Sequence, residues 1–349
     1  MKTQFRLLAL CVGLLLLLTS LSLYSLPRLA AERGAPCIRC HVNPNGGGMR
    51  NEFGHATAYN DLCLQQTKKY LEPFKSSPKL TDYVTYGLDY RMLYDKDLSF
   101  FRMQTDFYLS LELLKNTTFN FTVSPANMKD SYLQLKLKED RYWFKVGRFY
   151  PAFGLRDPDH TAYVRTVPQL GSEQTLDGVS VGGNFFNGSN ITLEFYQPDK
   201  QKIVTFHSFR AGNLGPFGFL TGISWRQSQD MHGSNPYRGF PIAKSLFGGL
   251  SYDRFTALGE VQAVGKGNEQ RTFYAQLEAK AIDGLYFLTE YNFHDPDWAH
   301  RTGSNQFYRF SCEFFPVPFV EIRPSATLEK PRGQSKFTSK YFVQLHVNY

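Results

Sequence analysis

Residues 101–113 read Phe-Arg-Met-Gln-Thr-Asp-Phe-Tyr-Leu-Ser-Leu-Glu-Leu. Phe101, Met103, Thr105, Phe107, Leu109, Leu111 and Leu113 fall on one side, and Arg102, Gln104, Asp106, Ser110 and Glu112 on the other. Alternation of period two over this length marks a strand with one apolar and one polar face; a single amphipathic helix does not produce it. The preceding segment sets Val84, Tyr86, Leu88, Tyr90 and Met92 against Thr85, Gly87, Asp89 and Arg91. The pattern returns at Leu133/Leu135/Leu137, Tyr142/Phe144/Val146, Ile191/Leu193/Phe195, Phe217/Phe219/Ile223/Trp225, Phe273/Ala275/Leu277/Ala279 and Tyr341/Val343/Leu345/Val347/Tyr349. Counted along the chain, it predicts about sixteen antiparallel strands, an even number as in bacterial transmembrane β-barrels.

The connections give a second reading of the same kind. If the first strand runs outward, every second connection is an inner turn: Lys115-Asn116, Glu139-Asp140, Asn187-Gly188, Gly212–Gly215, Asp253-Arg254, Asp283-Gly284 and Phe315–Pro318. All are short, whereas the longest connections, near 150–174, 227–243 and 294–304, belong to the other set. Short periplasmic turns and longer outer loops are the expected asymmetry of an outer-membrane barrel. The polar face, with Asp89, Arg91, Arg102, Asp106, Lys136 and Arg148, is expected to line the lumen.

Composition agrees. A mean hydropathy of −0.35 with 20% charged residues excludes a bundle of membrane-spanning helices. Aromatic residues make up 16%, with 21 Tyr and 31 Phe, which suits lipid-facing strands and interfacial girdles better than a cytosolic enzyme. A formal charge of +8, spread along the chain, is too mild for a nucleic-acid-binding face, so no nucleic acid is expected as a partner.

The chain opens with Lys2 and Arg6, the apolar run Leu7–Leu18 and then small residues, the three parts of a secretory signal. Leu29-Ala30-Ala31 offers a cleavage site and Ser25 a second, so residues 1–31 are read as a leader. Next comes Cys37-Ile38-Arg39-Cys40-His41, the C-x-x-C-H pattern of covalent c-type haem attachment. The two thiols can form thioethers with one porphyrin, and the imidazole that follows them is placed to ligate the iron. With no second C-x-x-C, a zinc site would lack ligands.

One motif implies one covalent haem c. The glycine-rich turn Gly46-Gly47-Gly48 follows, and Met49 to about Leu71 reads as one helix. Met49 and His55 are the candidate sixth ligands, on different sides of such a helix, with the reading inclined to His55. Residues 32–80 thus form a small α-helical monohaem cytochrome segment, too small for a core of its own and expected to plug the barrel of residues 81–349. Cys63 and Cys312 are left either to pair or to stay as thiols.

Tyr349, closing an alternating strand, resembles the aromatic C-terminal signature of outer-membrane proteins, and Gly147–Leu155 (GRFYPAFGL) resembles a segment of phosphate- and anion-type porins. An exported chain with one C-x-x-C-H directly before such a barrel resembles the fused monohaem cytochrome–porin family, known for outer-membrane iron oxidases. The resemblance implies location in the bacterial outer membrane, in contact with its lipid. It also implies iron(II):cytochrome c oxidoreductase-type activity: electrons passing between an extracellular donor such as Fe(II) and a periplasmic carrier. A diffusion porin whose haem plug is structural or sensory, or an exporter of electrons to outside acceptors, are the other readings. Asp157/Asp159/His160 and Asp295/Asp297/His300, in two outer connections, carry ligand types that suit Fe(II).

Overall fold

The structure is a computed structural model; it describes residues 27–349 except 73–76, 96–98, 126–127, 139, 158, 171–173, 186–187, 199–200, 231–241, 267–268 and 301. The leader up to residue 26 lies outside the described residues. Sixteen strands carry the wall: β1 Val84–Asp95, β2 Ser99–Leu114, β3 Thr117–Val123, β4 Met128–Leu137, β5 Tyr142–Phe149, β6 Leu176–Phe185, β7 Ser189–Tyr196, β8 Gln201–Leu214, β9 Phe217–Asp230, β10 Ile242–Tyr252, β11 Phe255–Val264, β12 Gln270–Ile282, β13 Leu285–Asp295, β14 Asn305–Val317, β15 Val320–Lys330 and β16 Thr338–Asn348. Each is antiparallel to its neighbours in the chain, and β16 returns to β1 through pairs from Phe342↔Asp95 to Asn348↔Asp89. Closure leaves no unpaired edge, as strands in lipid require. A three-residue arm, Lys79–Thr81, leads into β1. No helix among the described residues is long and apolar enough to cross a membrane.

Outward side chains are large and apolar: Phe107, Ile223, Leu246, Leu277 and Phe287 are all more than half exposed. Inward ones are buried and mostly polar, among them Ser180, Asn190, Thr192, Glu194, Thr205 and Gln262. Tyrosine and phenylalanine rings gather near strand ends, for example Phe217 against Tyr252 at 4.8 Å and Tyr291 against Tyr308 at 4.8 Å. An apolar exterior, a polar interior and ring girdles make this an outer-membrane β-barrel.

Several expectations change. Arg102 faces outward, while Phe101 and Met103 line the lumen, because the β1–β2 register slips between Arg91/Met92 and a bulge at Met103 inverts the last turn-distal residues of the strand. Arg148 also points out and is paired with Asp177 at 2.6 Å; it shares the face of Phe144 and Val146. The lumen is not uniformly polar: Phe209, Leu220, Phe247 and Leu258 form an apolar patch on its wall. Two turns shift by a few residues, to Gly215-Pro216 and Pro318-Phe319.

The single helix expected over 49–71 is two, α2 Glu52–Asp61 and α3 Gln65–Leu71; α1 Pro27–Arg33 precedes them. Asn51 caps α2 by accepting from Gly54 N at 2.9 Å, so Met49 lies before the helix rather than on it. Cys63 and Cys312 form no disulfide. Cys63 is buried inside against Tyr286, Leu288 and Phe315, and Cys312 lies on the outer face between the inward Ser311 and Glu313.

Candidate haem site in the barrel lumen

Two segments fill the lumen. From the turn side comes the chain from Pro27 to Leu71. A 3-10 turn, Cys37–Arg39, carries the start of the C-x-x-C-H motif, and His41 N donates to Cys37 O at 3.1 Å. The following loop docks on inward side chains of the wall. Lys145 donates to Asn43 Oδ1 at 3.3 Å, Thr192 to Asn45 Oδ1 at 2.8 Å, and Gln134 to Val42 O at 3.3 Å. Arg50 donates to Asn348 O at 2.7 Å, beside the end of β16.

From the loop side comes the long connection between β5 and β6, with the short helix α4 Tyr163–Thr166. Buried carboxylates accept its backbone N–H groups: Ala152 N on Glu194 at 2.7 Å and Leu155 N on Glu260 at 3.0 Å. Such charge-assisted bonds are the strong ones in a site shielded from water. Gly154, at φ +62°, lies so close to Glu260 that a Cβ there would overlap its carboxylate. Arg156 then reaches the other segment, donating to Gly46 O at 2.7 Å and Asn45 O at 3.2 Å. The two plugs meet inside the barrel.

Between them is a cavity of about 210 Å³ whose wall includes Cys37, Cys40, His41, Gly46, Gly47, Gly48 and Met49 on one side and Tyr108, Arg156, His160 and Arg165 on the other. Cys37 and Cys40 form no disulfide, and burial pushes the Cys37 thiol up to about 11. His41 Nδ1 lies 3.4 Å from Met49 O. A proton shared with that carbonyl makes Nε2 the nitrogen with the lone pair, the arrangement by which a backbone carbonyl orients a metal-ligating imidazole. Gly46 has φ +78°, and a Cβ there would stand 3.1 Å from Cys37 Sγ, so the loop leaves the thiol its space.

Arg165 is buried at the cavity wall with its Nε lacking a partner, and burial lowers its pKa to about 10. Asp157 and Glu260 lie near enough to favour its charge, yet the Nε donor is left without a partner among the described residues, which is costly for a buried guanidinium. Two thiols at the C-x-x-C spacing, an oriented imidazole and a buried guanidinium with a free donor are a set that fits a haem c with its carboxylates.

Of the two sixth-ligand candidates, Met49 lines this cavity and His55 does not. The His55 ring is buried between Phe319 at 4.5 Å and Tyr349 at 4.7 Å, its Nε2 lacks a partner, and burial lowers its pKa to about 4. His160, expected on an outer loop, is instead folded inward, with Nε2 3.3 Å from Gln104 Oε1. Asp157 accepts from Tyr274 at 2.6 Å and Asp159 pairs with Arg309, so those carboxylates are already engaged. In the other loop His300 Nδ1 sits 3.0 Å from Asp297. Among the described residues no three His, Cys, Asp or Glu side chains converge as a metal site. Sequence reading missed Arg165, Glu194 and Glu260; the unusual length of the 150–174 connection was a trace of Arg165, and the two glutamates, on strands, left none.

A second chamber of about 590 Å³ runs along the wall from Asp95, Glu329 and Lys340 near the loop side, past Arg91, Asp157 and His160, which it shares with the first cavity, to Phe315 and Phe319 at the turn side.

No family model and no curated protein sequence matches the chain. Among solved structures, it is similar to OmpT of Vibrio cholerae, with a TM-score of 0.55 and 10% identity over 78% of this chain and 99% of that one. It is also similar to OprB of Pseudomonas putida, with a TM-score of 0.59 and 10% identity over 81% of this chain and 96% of that one. The fold is thus that of the outer-membrane porins. The N-terminal fifth of the chain, with Cys37, Cys40 and His41, is not what the likeness rests on.

Proposed function

We propose that this chain holds one covalent haem c inside its barrel and passes electrons across the outer membrane, between an extracellular donor such as Fe(II) and a periplasmic carrier. The observation that carries the reading is the position of C-x-x-C-H: the motif lines an internal cavity of the barrel rather than hanging below it. The apolar band of such a barrel is about 25 Å tall, too far for efficient transfer from a centre left in the periplasm. The bound group would supply a one-electron couple inside the barrel.

The chain's own residues do the rest. Cys37 and Cys40 would hold the group by thioethers, and His41, its ring oriented by Met49 O, would ligate it; Met49, on the wall of the same cavity, is the sixth-ligand candidate within reach, and Arg165 would meet a carboxylate. The inserted loop, fastened by Glu194 and Glu260, excludes water on its side, and the 590 Å³ chamber lets a small donor approach from outside.

The second reading is a solute porin with a haem plug, favoured by the likeness of the barrel to porins and by the charged chamber. Current in the opposite direction, to outside acceptors, uses the same parts. The first test is chemical: protein from the outer membrane of its host, denatured and freed of loosely bound groups, should retain a c-type haem spectrum and the mass of one haem. Cys37→Ala with Cys40→Ala should lose both. A wild-type protein without covalent haem ends the proposal.

A further inference from the structure

We propose that export processing leaves Pro27–Gly34 on the mature protein, where it is a built-in lumenal latch, and that the leader is cut before Pro27 rather than at Leu29-Ala30-Ala31. This rests on the wall, not on the haem.

The first observation is electrostatic. Arg28, in α1, is 5% exposed, and its Nη1 lies 2.6 Å from Glu278 on β12 and 2.6 Å from Glu313 on β14. Both carboxylates are 1% exposed and both point into the lumen. Two buried acids brought to one place must either keep a proton or share a cation, and Arg28 is the cation the structure sets between them. Glu313 also has Arg323, but no other ion pair is formed by Glu278 among the described residues. A cut after Ala31 would remove the cation and leave Glu278 buried without one.

The second observation is steric. Two neighbouring strands, β9 and β10, each present a glycine to the segment, Gly218 and Gly249, and the backbone of Gly212 on β8 lies against Gly34. A Cβ on Gly218 would overlap the Ala31 carbonyl oxygen, one on Gly249 would sit 3.3 Å from the Ala31 Cβ, and one on Gly34 would meet the Gly212 carbonyl carbon at 2.5 Å. Ala31 is fully buried, in one cluster with Phe209, Leu220, Phe247 and Leu258. The contact of Gly34 with Gly212 survives either cut, but the notch at Gly218 and Gly249 and the apolar patch beside it are filled by Ala31, which a cut after it would remove. Ser25, the other small-residue site in the leader, places the cut so that the whole segment survives.

N-terminal sequencing and intact mass of the protein from the outer membrane of its host test this directly. The expected first residue is Leu26 or one before it; a chain beginning at Ala31, Glu32 or later overturns the proposal. A second arm tests the latch: the temperature at which the folded barrel loses its compact electrophoretic mobility. Arg28→Met is expected to lower it, Arg28→Lys to keep most of it, and Arg28→Met with Glu278→Gln to recover part of it. Equal temperatures for Arg28→Met and the unaltered protein overturn the latch.

Discussion

At the residue scale the sharpest choice is between Met49 and His55. A methionine ligand opposite histidine raises the potential of a haem, and a second histidine lowers it. Met49 lines the cavity of His41, so Met49→His should lower the midpoint potential in a redox titration, while His55→Phe should leave the absorption spectrum unchanged. The reverse pattern would assign the ligand to His55.

His160 gives a pH prediction. Burial, aided by Arg91 and Arg165, lowers its pKa to about 4 from an ordinary 6.5. Between these values the unfolded or undocked imidazole binds a proton that the docked one does not, so docking weakens as pH falls from about 6.5 to 4 and is unaffected above. The loss should be of order 1–2 kcal/mol, given partial exposure of the ring. Limited proteolysis of the 150–170 loop should speed up on acidification, and His160→Gln should flatten the profile.

At the scale of elements, the inserted loop depends on a few buried acceptors. Glu260 takes Leu155 N, Ser245 and Gln262 together. Glu260→Ala leaves several donors buried without a partner, each costing about 1–3 kcal/mol, and should release the loop while the barrel still forms. Gly154→Ala should have the same sign, from a left-handed backbone and a clash with Glu260. Protease sensitivity of the loop against heat resistance of the barrel separates the two effects.

The wall was legible in the sequence because a closed barrel writes one rule, apolar out and polar in, on every strand; the strand count and the inner turns followed from it. It failed where a local event inverted or relaxed the rule. The bulge at Met103 swaps Arg102 with its neighbours, and nothing in residues 99–103 announces it. Phe209 and Phe247 point inward because a plug covers them, a fact that lies in tertiary contact and not in periodicity. The helix break at 62–64 follows from Leu64 N donating to Phe315 O on the wall, again a long-range cause. Of the candidate site, Cys37, Cys40 and His41 stood out in the sequence by the C-x-x-C-H spacing on which the proposed haem rests; Arg165 and Glu260 did not stand out, since only folding brings them near.

At the scale of the molecule, two plugs in one lumen oppose free diffusion. Vesicles carrying the protein should admit small ions through the 590 Å³ chamber but exclude sugars, and Glu260→Ala should relax that limit in a swelling assay. The central claim is that charge crosses where bulk solute does not. It is tested most directly by the purified protein, oriented in vesicles that enclose a small oxidised c-type cytochrome, with Fe(II) added outside. Reduction of the enclosed cytochrome, lost in Cys37→Ala/Cys40→Ala, is the predicted result; a cytochrome that stays oxidised while sugars pass freely would contradict it.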